Sequence, residues 1–192
     1  MTNPGDVSSA LGLLGSMYLC PPTREGVAEW LSLARGIALP VVNGVREALG
    51  GLHLDSEQEM EDLLWDYTML FIGPGRLPCP PWESVYTSPK RLLMQEAFDS
   101  VSAFYQECGL SVGDPKVLQD HIGAELSFLA VLHEKMRDQQ GDVSSYRRAA
   151  ERFLAEHPRR WIPAFAADME GAANTPLYKA LARATAELLA SL

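Results

Sequence analysis

Residues 71–86, FIGPGRLPCPPWESVY, set four prolines, two glycines and one tryptophan between segments that otherwise have the period of helices. Proline fixes φ and removes a backbone donor, so this connection is stiff. A structureless connection longer than about 12–15 residues is uncommon inside a compact unit, and is usually functional or disordered. The ending Pro80-Pro81-Trp82 argues against disorder. A rigid loop that presents a large aromatic is suited to holding an extended or helical peptide. The chain is therefore expected to fold as helices on either side of one long, stiff turn.

Elsewhere apolar residues recur at helical spacing and no segment alternates convincingly. Val7, Leu11, Leu14 and Tyr18 share a face, and Pro21-Pro22 stops that helix. Thr23 can cap a helix burying Val27, Trp30 and Leu31, and Val41, Val45 and Leu49 mark another that ends at Gly50-Gly51. Ser56 with Glu59 has the pattern of a capping box. The helix behind it places Met60, Leu63, Leu64, Tyr67, Leu70 and Phe71 on a broad apolar face. Ser88-Pro89 predicts a helix start, running through Leu93, Ala97, Val101, Phe104 and Tyr105 to Cys108, with Gly109 closing it. A polar stretch over 111–116 precedes a helix expected from about Val117 to Met136, with Leu118, Ile122, Leu126, Leu129 and Leu132 inward. Gly141-Asp142 breaks the chain before a helix through Tyr146, Ala150, Phe153 and Leu154, stopped near Pro158. Trp161, Phe165 and Met169 mark a short helix to Gly171, and Thr175-Pro176 starts the last one. The expected class is all-α. It is a bundle of roughly eight to ten helices with a long proline-rich loop, mostly antiparallel because the other loops are short. It is expected to form a single domain over residues 1–192, with a candidate hinge within 72–88.

Composition narrows the function classes. With 47% hydrophobic residues the chain can bury a full core. It has no apolar run of about 18 residues, so stable membrane insertion is not expected. Its start lacks the basic stretch of a secretory signal, which points to the cytoplasm. Cys20, Cys79 and Cys108 form no CxxC pair, which disfavours a disulfide frame or structural zinc. Cys79 lies in a loop that reads as exposed and oxidisable, but without basic neighbours to make it a nucleophile. A net charge of −9 would repel a phosphate backbone, so nucleic acid is not an expected partner. The same charge would attract a basic partner.

Candidate site residues fall in a few clusters, each open to a structural and a functional reading. Trp82 either plugs the bundle or lines a peptide groove with Pro80 and Pro81. Glu83 is either a solvated acid or an acceptor for an arginine. Asp120 and His121 either satisfy local polar groups or offer a carboxylate and an imidazole to a ligand. Tyr67, Leu70 and Phe71 either pack the core or form an apolar floor. His157 and Trp161 read as packing between the last helices. Enzyme readings are weak. On a helix, consecutive Asp120 and His121 point about 100° apart, which forbids the Asp–His bond of a triad. His133-Glu134 lacks the second histidine of a zinc-protease motif, since Arg137 stands there. No cofactor and no metal are expected.

Three blocks carry a family resemblance: Phe71-Ile72-Gly73-Pro74 with Pro78 and Pro80-Pro81-Trp82-Glu83-Ser84-Val85-Tyr86; Asp120-His121-Ile122-Gly123-Ala124-Glu125-Leu126; and His157 through Trp161 to Phe165. Their order over most of the chain resembles the TorD/DmsD family of redox-enzyme maturation proteins. The resemblance implies an all-helical cytoplasmic chaperone, not an enzyme. Its partner would be the twin-arginine leader peptide of a molybdenum-cofactor oxidoreductase precursor of the DMSO-reductase type. Holding the leader would delay Tat export until cofactor insertion, with Tat translocase components as further candidate partners. By the same resemblance, Tyr67, Leu70, Phe71, Pro80, Pro81, Trp82, Glu83, Asp120 and His121 would bind the leader. The alternative is a helical adaptor that binds the mature region of a respiratory-complex subunit.

Overall fold

The computed structural model describes residues 4–111, 114–139 and 141–192. Met1, Thr2 and Asn3 lie outside the described residues, as do Gln140 and, from the expected polar stretch, Val112 and Gly113. The described residues form ten α-helices and no β-strand: α1 (Pro4–Leu19), α2 (Arg24–Gly36), α3 (Asn43–Gly50), α4 (Glu57–Tyr67), α5 (Glu83–Thr87), α6 (Glu96–Glu107), α7 (Ile122–Arg137), α8 (Val143–Glu156), α9 (Pro158–Ala172) and α10 (Pro176–Ser191). No helix among these residues is long and apolar enough to cross a membrane.

Start signals in the sequence explain several boundaries. The Thr23 hydroxyl accepts from the Gly26 N–H, and that of Ser56 from the Glu59 N–H. The Glu59 carboxylate does not complete a box on Ser56; it accepts from the His53 N–H instead. Asp142 caps α8 by accepting from the N–H groups of Ser144 and Ser145. Such caps satisfy donors that the first turn leaves open.

Helix α1 packs along α7 and α9 along α10, with α8 on α7 and α3 on α10. At the α1–α7 crossing, a Cβ on Gly123 would lie 2.8 Å from the Gly15 carbonyl oxygen and 2.5 Å from Leu19 Cγ. Only glycine permits that approach. Tyr18 sits at the centre, with its hydroxyl 2.9 Å from Thr185 Oγ1 and its carbonyl accepting from the Tyr67 hydroxyl at 3.1 Å. Asp66, also buried, accepts from the N–H groups of Asn174 and Thr175. It thereby caps α10 from another helix and fixes α4 against it.

Two expected helix starts differ from those observed. α6 begins at Glu96, not at Ser88-Pro89. Arg91 and Met94 take φ of +51° and +54°, left-handed values incompatible with a continuing helix. The Gln95 N–H donates to Ser84 Oγ at 3.2 Å, which draws the chain back over α5 before α6 can start. α7 begins at Ile122, not near Val117, because the residues before it pair with the proline loop. Beyond α4 the chain also continues as a π-turn, Thr68–Ile72, closed by the Gly73 N–H donating to the Thr68 carbonyl at 2.8 Å. Gly73 (φ +87°) ends it.

Candidate functional site

The proline loop folds down as one short antiparallel bridge, Trp82 against His121. The Glu83 N–H donates to the Asp120 carbonyl and the Ile122 N–H to the Pro81 carbonyl, each at 2.9 Å. The Trp82 and His121 rings meet edge to face, 5.8 Å between centroids. Pro81 is buried, Pro80 and Trp82 are half-buried, and the Trp82 indole therefore presents part of its surface outward. Cys79 is buried, contrary to the exposed position read from the sequence. Its thiol donates to the Leu70 carbonyl, and burial pushes its pKa up to about 12. It is not a reactive thiol.

Beneath this bridge the acids of the sequence motifs turn inward. Asp120 is fully buried, and its Oδ2 accepts from the Ser84 N–H at 2.9 Å and from the Ser84 hydroxyl. Burial raises its pKa, against the lowering effect of those bonds. Glu83 is 1% exposed rather than solvated, and its Oε2 meets His157 Nδ1 at 2.9 Å. Glu125 accepts from Trp161 Nε1 at 3.1 Å. Burial first, and then the facing Glu83 carboxyl, hold Glu125 well above the usual carboxylate range. A neutral Glu125 can donate to Glu83, which gives a partner to Glu125 Oε1, the oxygen that otherwise has none. His121 caps α7 with Nδ1, accepting from the Gly123 N–H at 3.1 Å, so its remaining proton sits on Nε2. Burial lowers its pKa to about 4, leaving it neutral near pH 7.

The three sequence blocks thus meet at one junction: Ser84 with Asp120, Glu83 with His157, and Glu125 with Trp161. His157 and Trp161, read as packing residues, are part of it. The consecutive pair Asp120 and His121 precedes α7 rather than lying on it. Asp120 points to Ser84 and His121 back along the helix start. Tyr67, Leu70 and Phe71 face the core at 4%, 1% and 4% exposure. Phe71 packs against Tyr18 and Tyr178, and Tyr67 against Tyr178. The exposed apolar residues of that segment are instead Leu64, expected on the inner face, Ile72, which lies in the first family block, and Trp65 and Met69, which carried no motif. Only their helical spacing opposite Leu63 and Tyr67 marked Trp65 and Met69.

The model of the family described as nitrate reductase delta subunit matches residues 28–167, a span that contains all three blocks of the junction. The Tat proofreading chaperone DmsD of Salmonella typhi is 31% identical over 125 residues, covering 63% of this chain and 55% of that protein. The chaperone protein TorD of Vibrio cholerae is 29% identical over 165 residues, 83% of this chain and 70% of the relative. The chain thus spans little more than half the length of the DmsD relatives it matches, 59% for the Haemophilus influenzae protein. A solved structure from Archaeoglobus fulgidus, described as a redox enzyme maturation protein, shares the fold. Its TM-score is 0.70 at 24% identity, over 95% of this chain and 93% of that one.

Proposed function

Because the chain belongs to the nitrate reductase delta subunit family, and with it to the TorD/DmsD group, we propose that it is a cytoplasmic chaperone for a molybdenum-cofactor oxidoreductase precursor. In this reading it binds the precursor's twin-arginine leader and delays Tat export until the cofactor is in place. The observation that carries the reading is the half-exposed Trp82, locked on His121 at the meeting point of the three family blocks. An aromatic already fixed in position loses little freedom when a peptide docks on it. Pro80 extends the same ledge, and Pro81 anchors it from below.

Glu83 and Asp120 serve this surface from inside. Their carboxyl groups hold the loop to α7 and to the α8–α9 corner and are themselves almost fully buried. The leader's arginines are drawn by exposed acids on a chain of net charge −9. A micromolar complex corresponds to about −8 kcal/mol, which a few aromatic contacts and one or two charge-assisted bonds can supply.

Calorimetry with a synthetic twin-arginine leader tests this. We expect micromolar binding that weakens with salt and is lost when both arginines become glutamine. A chain that ignores the leader but captures the leaderless client would be an adaptor for the mature subunit instead.

A further inference from the structure

The outer face of α4 and its π-turn is divided along its length. Glu57, Glu61 and Asp62 are exposed on its first two turns. Leu64 (46% exposed), Trp65 (65%), Met69 (36%) and Ile72 (64%) follow. A tryptophan and an isoleucine each about two-thirds in solvent are costly to leave uncovered, because apolar surface is stabilised on leaving water. The backbone explains why they line up. Residues Leu63, Tyr67, Leu70 and Phe71 must all reach the core. The π-turn adds a residue to that turn, and Thr68 back-bonds to the Leu64 carbonyl at 2.7 Å. Met69 and Ile72 of this wider turn are exposed, as is Trp65 before it. π-turns of this kind recur at functional sites.

We propose that this face docks a peptide segment whose basic end lies over Glu61 and Asp62 and whose apolar stretch lies over Trp65, Met69 and Ile72. The occupant is the leader itself, so the inference rests on leader binding and adds where its apolar stretch goes. The order of charge fixes the direction. A leader with its arginine pair first and its apolar run second lies parallel to α4, basic end at the acidic turns. From Glu61 to Ile72 the face is about 16 Å long at the helical rise. That accommodates roughly five residues of extended peptide or about eleven of helix. Electrostatic matching at the acidic end sets direction and encounter rate, and the apolar end supplies the affinity.

The test uses the full chain, a synthetic twin-arginine leader and calorimetry at two salt concentrations. Trp65→Ala and Ile72→Ser should each weaken binding at least tenfold. Glu61→Arg with Asp62→Arg should weaken it and flatten its salt dependence. All these positions are exposed, so thermal melts should match the native chain. If the native chain binds and all these variants bind equally well, the α4 face is not the docking surface, while leader binding stands. If the native chain does not bind the peptide, leader binding itself falls and this inference falls with it. If sedimentation shows a dimer of the native chain that Trp65→Ala dissolves, the face is a self-interface and the proposal is overturned.

Discussion

The junction under Trp82 and the outer face of α4 are opposite in character. The junction is polar, buried and tied from four directions; the α4 face is apolar, open and tied to nothing described. The junction holds nearly every residue that a motif search selects. Of those residues the α4 face holds only Ile72. Recognisable residues in this chain mark where the polypeptide must be held together, and the surface left for a partner is marked by exposure instead. A buried acid needs a defined partner at a defined distance, so its neighbours are fixed in type. A docking surface needs only apolar area with charge at one end, which many sequences supply.

The difference can be broken most forcefully at His157. His157→Ala takes away one of the two groups that meet the buried Glu83 carboxyl, leaving only Glu125. Removing one member of such a pair costs about 3–5 kcal/mol, so the melting temperature should drop by on the order of 10 °C for a chain of this size. A melt within 2–3 °C of native, about 1 kcal/mol by the same scaling, would show that the junction does not hold the loop.

The second largest effect is a pH dependence. The folded state keeps His121 neutral down to about pH 4, whereas the unfolded chain takes up that proton below about pH 6.5. The unfolded state therefore binds more protons in that window, and stability falls as pH drops through it, by on the order of 3 kcal/mol. Asp120 and Glu125, whose values are raised, act in the opposite sense: their contribution is present at low pH and lost as pH rises through their folded-state values. His121→Asn keeps an acceptor at the cap and removes the titration. Urea melts of the two proteins between pH 6.5 and 4 should differ by the His121 contribution, with the variant losing less.

Asp120→Ala should cost about 1–3 kcal/mol, since the buried Ser84 N–H and hydroxyl lose their shared acceptor. The urea midpoint should fall with an unchanged slope. At the small end, Trp65→Ala should leave stability within about 0.5 kcal/mol, as exposed positions do. A large loss there would mean that the α4 face is structural after all.

Helices were largely legible because their apolar period is dictated by the core, and Thr23 and Ser56 announced their turns by cap chemistry. The misread starts have long-range causes. Ser88-Pro89 has the local chemistry of a helix start, but the bond between Ser84 Oγ and the Gln95 N–H delays it to Glu96. Val117 and Leu118 have helical spacing with Ile122, but the chain makes two tight turns, closed by the Val117 N–H on the Asp114 carbonyl and the His121 N–H on the Leu118 carbonyl, before the bridge to Trp82 and the His121 cap start the helix. Cys79 read as exposed because its neighbours are prolines and glycines, and nothing local shows the loop folding it under Leu70. Asp66, which caps α10 from α4, has no sequence signature, because its partners lie more than a hundred residues away.

Fluorine NMR on protein labelled with 5-fluorotryptophan, titrated with the twin-arginine leader, tests the contrast most directly. Its four tryptophans divide cleanly: Trp30 and Trp161 are buried, Trp82 is half-buried, and Trp65 is exposed. The resonances of Trp65 and Trp82 should shift on binding while those of Trp30 and Trp161 stay in place. A shift of Trp161 with Trp65 unmoved would mean that the leader opens the junction to reach the buried acids, and would contradict the division of roles drawn between the two regions.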